Sequence, residues 1–127
     1  MPSKIHHLAV EVSNAEKSAE FYCSLLGFTR GDKFEFPERN RTIIFVSLGE
    51  TCLELLESGE NEPHVAQPKM LGFKHVCLLT DDLDGEVDKL RAAGVTITTE
   101  PFDTAINSRI SFFEDPDGLM LELWQQK

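Results

Sequence analysis

The chain has 127 residues, the size of one ordinary domain, and at 41% apolar it can bury a core, which excludes a disordered or collagen-like protein. Its net charge of −10 lacks the basic footprint of a nucleic-acid binder and disfavours anionic membrane surfaces. Three dispersed cysteines without a C-x-x-C, no apolar signal core near the start, and a longest apolar run of only Ile43 to Val46 predict a reduced, soluble, cytoplasmic protein.

In chain order, the alternating segment Ile5 to Val10 reads as a first strand. Ser13-Asn14-Ala15-Glu16 has capping-box spacing and opens a helix toward Leu26, with Ala15, Ser18, Ala19, Tyr22, Leu25 and Leu26 on its apolar stripe and Gly27 as terminator. Strands follow at Phe28 to Phe36, Thr42 to Leu48 and Thr51 to Glu57, the last two joined by Gly49-Glu50. The stretch Ser58 to Gln67 has no apolar period and reads as a linker. Phe73 to Leu79 repeats the first strand, and Asp81 or Asp82 caps a helix carrying Leu83, Val87, Leu90 and Ala93 up to Gly94. Three more strands fill Val95 to Glu100, Arg109 to Glu114 and Leu119 to Trp124, with the Asp115-Pro116-Asp117-Gly118 turn before the last. The expected fold is α+β: two tandem βαβββ modules at about 4–57 and 71–125, joined by a linker at 58–70, in a single domain.

The two halves share more than a plan. His75 follows His7 by 68 residues, and Leu121-Glu122-Leu123 follows Leu53-Glu54-Leu55 by the same 68. Strand parity puts Glu54 on a face with Cys52 and Leu56, Glu122 with Met120 and Trp124, and His75 with Phe73, Cys77 and Leu79. A carboxylate aimed at apolar surroundings needs compensation. Two His and two carboxylates form an N2O2 set for a divalent cation. A single His or Glu in a strand is ordinarily a hydrogen-bonded structural residue, and both readings fit the spacing. The repeat partner of His6 is Lys74, which gives His6 a supporting role at most. His64 falls in the linker and reads as solvated, and EDPDG lacks the pattern of a calcium loop.

The segments IHHLAVEVSNAEKSAEFYCSLLGF, CLELLE, FKHVCLLTDDLD and FFEDPDGLMLELW, in this order, resemble the vicinal-oxygen-chelate superfamily from Ile5 to Trp124. That family includes glyoxalase I, methylmalonyl-CoA epimerase, extradiol dioxygenases and fosfomycin-resistance thiol transferases. The resemblance implies a curved sheet around a metal site whose ligands fall at His7, Glu54, His75 and Glu122, and assembly as a homodimer. A His/Glu/His/Glu set is similar to bacterial glyoxalase I, which favours nickel or cobalt where other glyoxalases use zinc. Epimerases of the family usually have Gln at the position of Glu54, although Arg109 to Phe112 resembles the epimerase pattern as well.

The chemistry implied is proton transfer through a metal-bound enediolate, with Glu122 as general base and Glu54 as its partner. The implied substrate is the hemithioacetal of methylglyoxal with glutathione or another thiol. Arg109, Arg41 and Arg39 are candidates for an anionic tail, Arg109 foremost. Another reaction of the superfamily, epimerase-like or thiol transfer, and a metal-free binding protein are the alternatives.

Overall fold

Asn14 has extended backbone (φ −150°), and its side-chain oxygen accepts from the Lys17 amide at 2.9 Å. That satisfies an amide with no partner inside the helix and starts α1 (Ala15–Leu26), which Gly27 ends in the left-handed region (φ 76°). Asp82 does the same at α2 (Leu83–Ala92), accepting from Gly85 N at 3.1 Å. The caps are therefore Asn14 and Asp82. With Asn14 as cap, the third helical position is Lys17, so the Ser13-x-x-Glu16 spacing lies one residue ahead of the observed helix start. The Glu16 carboxylate turns outward to Arg30 and Lys33, each at 2.8 Å. Those hydrogen bonds hold Glu16 at a pKa of about 2.

The structure, a computed structural model, describes residues 1–66 and 69–127. It comprises two compact units, Met1–Pro63 and His64–Lys127. The first unit orders β1 (Leu8–Glu11), α1, β2 (Thr29–Phe36), β3 (Arg41–Leu48) and β4 (Thr51–Glu57), with a short 3-10 turn at Pro37–Arg39 between β2 and β3. The second unit orders β5 (Val76–Leu79), α2, β6 (Ile97–Asp103), β7 (Ser108–Glu114) and β8 (Met120–Gln126). Each is βαβββ, the α+β plan the sequence predicts.

Each unit forms one four-stranded sheet, in the order β1-β4-β3-β2 or β5-β8-β7-β6. The first strand pairs parallel to the last, and the remaining pairs are antiparallel. A parallel pair needs a crossover, and the helix lies within it. One sheet face packs on that helix. Leu53, Leu55, Ile44 and Val46 are buried in the first unit with Ala15, Ala19 and Tyr22; Leu121, Leu123 and Phe113 are buried in the second with Leu83, Val87 and Leu90.

The repeat reaches individual hydrogen bonds. Glu57 Oε1 accepts from Ala15 N at 2.7 Å, and Gln125 Oε1 accepts from Leu83 N at 2.8 Å. Val12 N donates to Leu56 O and Thr80 N to Trp124 O, both at 2.9 Å. In each unit the last strand thus fixes both the end of the first strand and the start of the helix.

Several boundaries move. β1 and β5 start only at Leu8 and Val76, so Ile5 and Phe73 precede their strands. β6 runs through Pro101, where the sequence suggests a stop. It is an edge strand with an irregular register at that point, so the missing proline N–H removes no ladder bond that the sheet needs. Residues 58–66 form neither helix nor strand. Gln67 and Pro68, within the expected linker at 58–70, lie outside the described residues. Among the described residues no helix is long and apolar enough to cross a membrane.

Asn14→Ala and Asp82→Ala should each lower the unfolding free energy by about 1 kcal/mol. Urea unfolding should show an earlier midpoint with an unchanged slope, because a cap is lost without altering the surface exposed.

Candidate metal centre

The face of each sheet turned away from its helix carries the histidines and the central carboxylate of the last strand. Parallel register sets Ala9 opposite Glu54 and Cys77 opposite Glu122. His7 and His75 stand two residues earlier, on the same parity. His75 Nε2 lies 3.0 Å from Glu122 Oε1, and His7 Nε2 lies 3.8 Å from Glu54 Oε1. The structure therefore brings His7 to Glu54 in the first unit and His75 to Glu122 in the second. Among the described residues, no group of three or more His, Cys, Asp or Glu side chains is placed to hold a cation.

The two pairs have similar surroundings. Glu122 is 7% exposed, and the Glu54 side chain is 19% exposed. Phe45 is the register partner of Glu54 on β3 and meets the His7 ring edge-to-face, at 5.7 Å between centroids and 87°. Phe112 is the register partner of Glu122 on β7 and meets His75 at 5.2 Å and 83°. Neither phenylalanine is found by reading the sequence at the 68-residue offset, which aligns Phe45 with the core residue Phe113. The usable signal is strand register rather than sequence distance.

His6 touches its neighbour. His6 Nδ1 and His7 Nδ1 are 2.8 Å apart, so one ring donates to the other. When His7 is the donor, its Nε2 toward Glu54 keeps a free lone pair.

The apolar setting expected around His75 is only partly present. Phe73 is 99% exposed and Leu79 is 76% exposed, because β5 is a short edge strand and the chain before Val76 runs off the sheet. The apolar cover comes from Phe112 instead. Beside Glu122, desolvation pushes the Cys77 thiol up to about 12, with the neighbouring carboxylate adding to the shift. Cys52 is pushed up more modestly, by desolvation and then by the charge of Glu54.

Among the other predicted residues, Arg109 lies elsewhere. Arg109 alternates with Phe112 on β7 and so occupies the helix side of the sheet. Its Nε and Nη2 donate to Asp84 of α2 at 2.9 and 3.0 Å, and its Nη1 donates to Asp103 at 3.1 Å. Arg39 sits in the 3-10 turn and Arg41 at the start of β3, both exposed. His64 is exposed at the start of the second unit.

The donor pairs suit a divalent cation. Ligand bonds of roughly 2.0–2.2 Å place two ligands of one ion about 3 to 3.5 Å apart, a range close to both observed separations. Imidazole nitrogen with carboxylate oxygen is a donor set for nickel, cobalt or zinc.

Comparison with known proteins agrees with this architecture. The model of the Glyoxalase/Bleomycin resistance protein/Dioxygenase superfamily matches residues 4–123. The chain is 32% identical to a probable lactoylglutathione lyase of Synechocystis, covering 94% of this chain and 92% of that protein. It is 30% identical to the mitochondrial methylmalonyl-CoA epimerase of Bos taurus, covering 96% of this chain and 74% of that protein. A crystal structure of a glyoxalase family protein from Enterococcus faecalis superposes with a TM-score of 0.82 at 30% identity, over 95% of this chain and 96% of that one. The chain belongs to this superfamily.

Arg109→Gln should lower the urea midpoint at neutral pH. The hydrogen bond from Arg109 depresses Asp84, while Lys127 and then Arg109 depress Asp103. A depressed carboxylate contributes stability above its unfolded pKa and loses it as pH falls through the folded one. The difference between variant and wild type should therefore shrink below the ordinary aspartate range, as read from midpoints taken at falling pH.

Proposed function

We propose that this chain is a metal-dependent, glyoxalase I-like isomerase acting on a thiol hemithioacetal of methylglyoxal. His7, Glu54, His75 and Glu122 are its ligand residues for nickel, cobalt or zinc, and the active form is a homodimer in the cytoplasm. The observation that carries the reading is the duplicated His–Glu pair, set at the same register on the same sheet face of both units. Each pair supplies two donors, and a four-ligand set takes both. Family membership and the lyase relative support the reaction class.

The cation, when bound, supplies Lewis-acid stabilisation of the negative charge that develops on two adjacent substrate oxygens. The residues do the rest. Glu122, the more buried carboxylate, takes the proton from the carbon that bears the sulfur. Glu54 serves the neighbouring carbon, where a proton is delivered as the ketone becomes an alcohol. The hydroxyl proton of the hemithioacetal passes to the former ketone oxygen as its own carbon becomes the thioester carbonyl, so the reaction is an isomerisation with no net gain or loss of atoms. His7 and His75 present Nε2 on the carboxylate side. Phe45 and Phe112 lie beside the carboxylates and limit the approach of water.

A second reading rests on the epimerase relative: the same two carboxylates exchanging the proton next to an acyl-thioester carbonyl. The presence of Glu54, where epimerases of the family usually have Gln, favours the first.

The test is metal analysis of the untagged protein after incubation with nickel, cobalt or zinc, followed by assay with the hemithioacetal of methylglyoxal and glutathione. Retention of a cation and thioester formation are expected, and Glu122→Gln should lower kcat by roughly 10²–10⁴-fold, the usual range for a lost general base. Metal retention with α-proton exchange into an acyl-thioester, but no hemithioacetal turnover, would select the second reading. A wild-type chain that retains no cation overturns both.

A further inference from the structure

Each imidazole that faces a carboxylate is also met edge-to-face by a phenylalanine one strand beyond that carboxylate. The contacts are His7–Phe45 at 5.7 Å and 87°, and His75–Phe112 at 5.2 Å and 83°. Each phenylalanine is the direct register partner of the carboxylate that its histidine faces. The two phenylalanines are 67 residues apart, whereas the histidines and the carboxylates are 68 apart. The contact is thus recovered in the second unit by sheet register, although the intervening sequence has slipped by one residue. Both rings are half-buried, unlike Phe113 beside Phe112, which is fully buried against the helix.

His7 and His75 precede their strands, so no ladder pairing of their own fixes their backbone, and each ring depends on side-chain neighbours for its orientation. A T-shaped aromatic contact favours one ring orientation. In this geometry the favoured orientation is the one with Nε2 turned to the carboxylate. From this duplicated arrangement we infer that Phe45 and Phe112 are positioning residues, which hold the two imidazoles ready for the carboxylate and the cation before any ligand arrives. The inference rests on the ligand set proposed above and adds the residues that preorganise it.

The contribution expected of such an orienting neighbour is a 10–100-fold effect on metal affinity or activity. Phe112→Leu keeps an apolar side chain but removes the ring, and Phe112→Tyr keeps the ring. Cobalt(II) titration should show affinity lowered about 10–100-fold in the Leu variant and restored to within about threefold in the Tyr variant. Where turnover is measurable, kcat should fall in the Leu variant with KM little changed.

NMR of the cation-free protein supplies an independent readout. The wild type should show cross-relaxation between the His75 and Phe112 rings and a single side-chain rotamer for His75; the Leu variant should show rotamer averaging. Rotamer averaging of His75 already in the wild type would overturn the inference, whether or not the variants fold. So would equal cobalt affinity of the Leu variant and wild type. A wild type that binds no cobalt defeats the proposed function instead, and leaves the positioning role to be decided by the ring contacts alone.

Discussion

Everything at the candidate site depends on the parallel pairing of the first and last strands in each unit. Parallel register places Leu8 against Leu53 and Val10 against Leu55 on the helix side, with Ala9 against Glu54 on the other. The same holds for Val76 with Leu121, Leu78 with Leu123 and Cys77 with Glu122. Side chains alternate with period two, so a one-residue slip would move the leucines out of the core and push the carboxylate under the helix. The cost of exposing Leu53, Leu55, Leu121 and Leu123 therefore fixes the place of Glu54 and Glu122. The hydrophobic core determines the geometry of the polar pair without touching it.

The helix is tied to the same register. Glu57 and Gln125 lie at the far ends of the last strands and accept the first amide of their helices. One element, the last strand, thus carries core leucines on one face, the candidate ligand on the other, and the helix bracket at its end. A charged residue in the middle of such a strand is costly unless compensated. Glu54 and Glu122 are each met by an imidazole and bordered by a phenylalanine, whereas the exposed acids form surface pairs, such as Glu16 with Arg30 and Lys33.

Much of this was legible in the sequence because it depends on local period. The helices, the turns at Gly49 and Asp115, the parity of Glu54 and Glu122 and the repeat itself follow from patterns of two and near four residues. What escaped depends on contacts between strands. Ser13 has the spacing of a capping box, but the backbone turns one residue later, at Asn14. Pro101 argues against a strand interior, yet an edge strand does not use its N–H. Arg109 carries a charge suited to an anion, and only the three-dimensional position of Asp84 on α2 shows where that charge is directed. Phe45 and Phe112 have unremarkable neighbours in sequence and become visible only through the register of β3 with β4 and β7 with β8.

The 47-residue offset from histidine to glutamate in each half conceals two changes of length. α1 has 12 residues and α2 has 10, and the left-handed glycines after them, Gly27 and Gly94, are 67 residues apart rather than 68. The slip persists to Phe45 and Phe112. It is cancelled in the last hairpin, where the Asp115-Pro116-Asp117-Gly118 turn replaces the tight Gly49-Glu50 turn. Helix length and hairpin length are free to vary, because loops and helix ends tolerate a residue more or less. The outer strand pair is not free, because its register holds the core and the His–Glu contact together. The equal spacing is therefore not a simple copy of one half by the other. It is what remains when the constrained strands stay in register and everything between them adjusts.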